Sequence, residues 1–74
     1  MGKTIYLPEY KFVLSKLKQA RLEAGLTQEE VAAKLKKPQS YISKVENGER
    51  RLDVVELKLF ADLYKRKVDY FISK

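Results

Sequence analysis

Apolar residues along the chain recur at helical spacing, in blocks separated by residues that start or stop helices. In the first block Phe12, Val13, Leu14, Leu17, Ala20 and Leu22 fall close to a helical period, and Gly25 offers the left-handed backbone that ends a helix. Thr27 to Glu30 has the Thr-x-x-Glu form of a capping box, so a second helix is predicted from Gln28, burying Val31, Ala32 and Leu35. Pro38 pushes Lys37 away from helical angles, which ends that helix in a tight turn. A third helix follows from about Gln39 to Asn47, burying Ile42 and Val45, with Gly48 as its stop. Asp53 and Glu56 repeat the capping pattern and open a fourth helix whose inward side is Val54, Leu57, Phe60, Ala61 and Tyr64. After the basic run Lys65-Arg66-Lys67, residues Val68 to Ile72 make a short fifth helix.

The reading is all-α, in one domain. Residues 1 to 8 show no periodicity and end at Pro8, so 1–10 is expected to be an N-terminal arm and 11–74 the folded domain. No internal repeat, linker or low-complexity segment interrupts it. At 74 residues the chain is near the small end of what folds without staples.

Composition narrows the chemistry. Cysteine and histidine are absent, which removes disulfides, thiolate chemistry, the usual zinc sets and the commonest acid–base catalyst at neutral pH. Glu29 and Glu30 sit in the first turn of a helix, where carboxylates favour the positive dipole end, and Gly2, Gly25 and Gly48 are too widely spaced for a phosphate loop. The expectation is no enzyme, no cofactor and no metal. No apolar run approaches a membrane span, the first residues lack the apolar core of a signal peptide, and Tyr6 stands where a myristoylation motif wants Ser or Thr. A cytoplasmic address with no membrane partner is the simplest reading.

The net charge is +6. Between Lys34 and Arg51 lie six basic residues and two acidic ones, so a surplus of four is concentrated around the third helix. A helix fits the major groove of double-stranded DNA, and its first residues reach base edges. Gln39 can pair bidentately with adenine, Ser40 can donate to or accept from several bases, Tyr41 suits a thymine methyl or a phosphate, and Lys44 suits guanine. Each is equally at home on a solvated helix face. What favours base readout is their place after a capped helix and a tight basic turn carrying Lys37. Gln28, at a helix start, and Arg50 and Arg51, in the following loop, are candidate phosphate contacts.

Residues from about Phe12 to Ile72 resemble the Cro and phage-repressor type of helix-turn-helix, also called the xenobiotic-response-element family. The resemblance rests on Leu17 and Arg21, Gly25-Leu26-Thr27-Gln28, Val31-Ala32, Gln39-Ser40, Ile42-Ser43-Lys44, Glu46-Asn47-Gly48, Leu57 and Phe60-Ala61. It implies a five-helix, lambda-repressor-like bundle with the helix-turn-helix in helices 2 and 3, and a homodimer on a near-palindromic operator. By the same resemblance Gln39, Ser40 and Lys44 fall on base-reading positions, Asn47 falls on a backbone-contacting one, and Gln28 buttresses the first glutamine or touches phosphate; Lys37 and Ser43 are further candidate phosphate contacts. Arg21 and Glu46 match a salt-bridged pair inside the fold. The chain departs from the family at Pro38, where a small or capping residue is common, at Leu52, a frequent proline, and at Lys65-Arg66-Lys67, a turn that usually contains glycine.

These readings converge on a sequence-specific transcriptional regulator of bacterial, archaeal or phage origin, with repression by operator occupancy as the default. A restriction-modification controller or an antitoxin-type autoregulator fits the same domain. A rival of another class is a protein-interaction module that has lost DNA binding, whose mark would be an acidic or apolar third-helix face. One recognition helix reads only a few base pairs, so two copies are expected, joined through Tyr70, Phe71 and Ile72 at the end of the chain.

Overall fold

The computed structural model describes residues 7–73. Residues 1–6, the greater part of the predicted arm, and Lys74 lie outside the described residues. The elements are α1 (Pro8–Glu23), α2 (Gln28–Leu35), α3 (Gln39–Glu46), α4 (Val54–Tyr64) and α5 (Val68–Ile72). Among the described residues none is long and apolar enough to cross a membrane.

Helix α1 begins earlier than the arm boundary at residue 10 implied. Pro8 starts the helix instead of closing a coil: it sits in the first turn after an extended Leu7, where its missing N–H is no loss and its fixed φ is already helical. Gly25, at φ +73°, ends the helix, with the Leu26 N–H donating to the Arg21 carbonyl at 3.1 Å. The two predicted capping boxes are both formed, by Thr27 with Glu30 on α2 and by Asp53 with Glu56 on α4.

The stops of α2 and α4 differ from the sequence expectation. Lys36 (φ 58°) and Lys65 (φ 57°) take the left-handed conformation usually left to glycine. The chain therefore leaves α2 one residue before Lys37, and the steric effect of Pro38 is not what ends the helix. Lys37 N–H donates to Ala32 O at 2.9 Å and Arg66 N–H to Ala61 O at 2.9 Å, closing both turns. Each left-handed lysine costs roughly 1–2 kcal/mol relative to a right-handed one, which these bonds and the packing beyond them offset. The Lys65 turn thus forms without its usual glycine.

The core is built from Leu17 and Ala20 of α1, Val31 and Ala32 of α2, Ile42 and Val45 of α3, Leu57, Phe60, Ala61 and Tyr64 of α4, and Phe71 of α5. Helix α2 packs on α3, and α1 is the hub that touches α3, α4 and α5. Val54, predicted to face inward, is 73% exposed, and Leu22, counted in the apolar period of the first helix, is 59% exposed. Val54 is the first residue of α4 and precedes the packed turns, while Leu22 lies on the side of α1 away from Ala20 and Arg21.

The terminal helix corrects the expected dimer surface. Phe71 is 0% exposed, an anchor of the core. Tyr70 is half-buried, edge-on to Phe71 at 5.0 Å between centroids, with the Arg66 guanidinium 4.9 Å and the Lys16 ammonium 5.0 Å from its ring. Only Ile72 remains as exposed apolar surface there. A five-residue helix can bury one side only, and α1 takes it.

Phe71→Ala should therefore destabilise the fold by about 3–5 kcal/mol, whereas Ile72→Ser should change it by no more than about 0.5 kcal/mol. Urea unfolding of the two variants checks this; an Ile72 change as damaging as the Phe71 change would contradict the assignment.

Candidate nucleic-acid interface

Helix α3 has two unlike sides. Ile42 and Val45 are fully buried, while Gln39, Ser40, Lys44 and Asn47 are exposed and Ser43 is half-exposed. Ser40, Ser43, Lys44 and Asn47 repeat at intervals of three and four, so they form one strip, with Gln39 at its start. Pro38, the residue before the helix, supplies no side-chain cap. No side chain therefore closes the start of α3 as Thr27 does that of α2, although the Tyr41 N–H donates to the Pro38 carbonyl at 3.0 Å.

The helix carries a single carboxylate, Glu46, and the fold turns it inward. Arg21 donates to it twice, Nε to Oε2 at 2.8 Å and Nη2 to Oε1 at 3.1 Å, and Gln28 Nε2 adds a bond to Oε1 at 3.1 Å. The third arm of the guanidinium, Nη1, donates to the Leu26 carbonyl at 3.0 Å. The two side chains are 9% and 4% exposed. Hydrogen bonding to Glu46 raises the Arg21 pKa against the lowering effect of burial. The pair expected between Arg21 and Glu46 is thus present as a bidentate, buried fork that ties α1, the α1–α2 turn, α2 and α3 together.

Three predicted DNA contacts prove to have internal work. Gln28 gives one amide N–H to Glu46, and the capping box beside it occupies the N–H of Glu30 at the start of α2. The Tyr41 hydroxyl donates to Glu56 Oε2 at 2.7 Å and its ring lies nearly parallel to Phe60, at 6.3 Å between centroids. Arg50 Nη1 donates to the same oxygen at 2.8 Å and to the Arg51 carbonyl at 3.1 Å, with the guanidinium 4.7 Å from the Tyr41 ring. Tyr41 and Arg50 are therefore corrected from base reader and free phosphate clamp to a pin between α3, the following loop and α4. Burial alone would push the Glu56 carboxyl up. The Asp53 backbone N–H, the Tyr41 hydroxyl and Arg50 outweigh it and hold the group below its ordinary value. Burial and the bond to Glu56 push the Tyr41 phenol well up, so it stays a donor.

What remains outward is a basic and polar surface: Gln39, Ser40, Ser43, Lys44 and Asn47 on α3, with Lys36, Lys37 and Arg51 at its ends. Lys37 also reaches over the Tyr41 ring, 5.2 Å from its centroid, and Asn47 Nδ2 makes a long 3.5 Å bond to Ser43 Oγ. Sequence reasoning saw Glu56 as a helix cap and missed its second oxygen. It also missed Tyr10, whose hydroxyl accepts from the Leu52 N–H at 3.0 Å. That bond explains one departure from the family pattern, because a proline at 52 would have no N–H to give.

Residues 17–71 match the helix-turn-helix family, of the XRE and phage-repressor type. No curated protein matches the chain.

Because its folded pKa is depressed, Glu56 contributes stability above the ordinary carboxylate value of 4.5 and loses it as the pH falls below that value. Glu56→Gln keeps a side-chain acceptor for the cap but no charge for Arg50. It should lower the unfolding free energy at pH 7 by roughly 1–3 kcal/mol, with the two proteins converging toward pH 3. Urea unfolding across that range is the measurement; a constant difference would show that the Glu56 charge does not hold this pin.

Proposed function

Because the chain belongs to the XRE and phage-repressor type of helix-turn-helix family, we propose that it is a sequence-specific regulator that inserts α3 into the major groove and acts by occupying an operator. Membership in the family makes the chain a DNA-binding transcription regulator in general. The finer reading rests on one observation: the only carboxylate of α3 is buried against Arg21, which leaves an outer face with Lys44 and no acidic side chain. A protein-docking relic of the same fold would show an acidic or apolar face there. Gln39, Ser40 and Lys44 read bases; Lys37, Ser43, Asn47 and Arg51 hold the backbone. A protein seated on a promoter in this way excludes polymerase, so repression by occlusion is the expected output. Two copies on a near-palindromic site supply the base pairs that one short helix lacks.

Selection from a random duplex library tests the reading and yields the operator. On the selected site, Gln39→Ala should weaken binding by about 1–3 kcal/mol and relax preference at one base pair, while Arg51→Ala weakens all sequences alike. With about four phosphates neutralised per domain, the log–log salt slope should be on the order of −4 for one domain and roughly twice that for two. A library that enriches no sequence, or an affinity indifferent to salt, would contradict the proposal.

A further inference from the structure

Between α3 and α4 the chain has no regular structure, yet one peptide group there is held from both ends. The Glu49 and Arg50 N–H groups donate to the Lys44 carbonyl at 2.8 and 3.3 Å, and the cap of α4 begins at the Asp53 N–H. Among the described residues, Arg51 and Leu52 between them make no backbone–backbone hydrogen bond. Side chains hold them instead. Arg50 Nη1 donates to the Arg51 carbonyl at 3.1 Å, and the Leu52 N–H donates to the Tyr10 hydroxyl at 3.0 Å. That carbonyl and that N–H belong to one planar unit, which also contains the Arg51 Cα. Holding both ends fixes where the Arg51 side chain leaves the backbone.

Each holder is itself anchored. Tyr10 is half-buried on α1, and its ring lines a groove with Val13, Leu52 and Leu57. The Arg50 Nη1 that reaches the Arg51 carbonyl also donates to Glu56 Oε2 at 2.8 Å, and Glu56 is tied to the start of α4 by its other oxygen. The Arg51 side chain, by contrast, is exposed and makes no ion pair among the described residues. A fixed root carries a free guanidinium.

We propose that Tyr10 and Glu56 are positioning residues for the contact of Arg51 with the DNA phosphate backbone; the inference rests on the DNA-binding reading above. Neither touches DNA. An arginine on an unheld loop loses freedom when it meets a phosphate, and a root fixed in advance removes part of that cost. A proline at 52, frequent in the family, restrains residue 51 by ring sterics. Here a hydrogen bond from α1 takes its place. Glu56 then has an effect opposite to its charge. By Coulomb attraction alone, removing a carboxylate near a basic face should strengthen DNA binding. By positioning, its removal should weaken binding, because Arg50 loses the anchor from which it holds the peptide.

The test is a pair of double-mutant cycles read by DNA affinity at low salt, on the library-selected duplex and on random duplex. Tyr10→Phe removes only the hydroxyl and Glu56→Gln removes the charge; thermal unfolding sets a temperature at which every variant is folded. Each change should weaken binding to both duplexes by about threefold to tenfold. In an Arg51→Ala background each should weaken it by less than about twofold, because the residue they position is gone. Base preferences at the selected site should not move. A loss just as large without Arg51 would mean that Tyr10 and Glu56 act through the fold at large, and would overturn the proposal. So would unchanged binding in either single variant, or tighter binding of Glu56→Gln. Wild-type protein that binds neither duplex would overturn the DNA reading itself and this inference with it.

Discussion

The outer face of α3 depends on a carboxylate that never reaches it. Glu46 lies one turn from the residues that face solvent, and in water it would place a negative charge among groups suited to a phosphate polymer. Burying it unpaired would cost several kcal/mol, so its burial requires a partner of matching shape and charge. Arg21 meets that need with two parallel bonds, and its remaining Nη1 fixes the Leu26 carbonyl in the turn before α2. Gln28 completes the set from the first residue of α2. Four segments are thereby set in one register by groups that cannot slide without leaving a buried charge unpaired. Orientation of α3 is then a property of the core and not of the surface.

A second, less buried assembly continues the same logic toward the loop. Glu56 uses one oxygen to cap α4 and the other to receive Tyr41 and Arg50. The C-terminal side of α3 is thus held to the start of α4 through a ring, a guanidinium and a carboxylate. Arg51, next to the pinned Arg50, remains exposed. Neighbouring arginines therefore take different tasks: one fixes the loop and the other is available to a phosphate.

Local signals were legible in the chain. Both capping boxes span four residues, and their chemistry is complete within that span, so Thr27/Glu30 and Asp53/Glu56 could be read directly. The family resemblance supplied the Arg21–Glu46 pair, which no local rule would have given across 25 positions. Other features are decided by tertiary context. Lys36 and Lys65 adopt a backbone conformation their side chains disfavour because the turns beyond them are packed and bonded. Pro8 was read as a break because the residues before it are aperiodic, though proline is as suited to the first turn of a helix. Tyr41 looked like a contact residue because its hydroxyl partner is 15 positions away. Phe71 looked like interface because a terminal helix has little chain after it to cover it, yet α1, more than 40 positions earlier, covers it from the other side.

The claim that an ionic knot fixes the reading helix is tested most directly by a double-mutant cycle at its centre. Arg21→Met and Glu46→Leu each remove one partner and strand the other charge, while the double variant leaves two apolar groups in contact. Unfolding free energies in urea should fall by roughly 3–5 kcal/mol for either single change, and the double variant should be more stable than either single one. Losses that simply add would mean that Arg21 and Glu46 act independently, and would contradict the account.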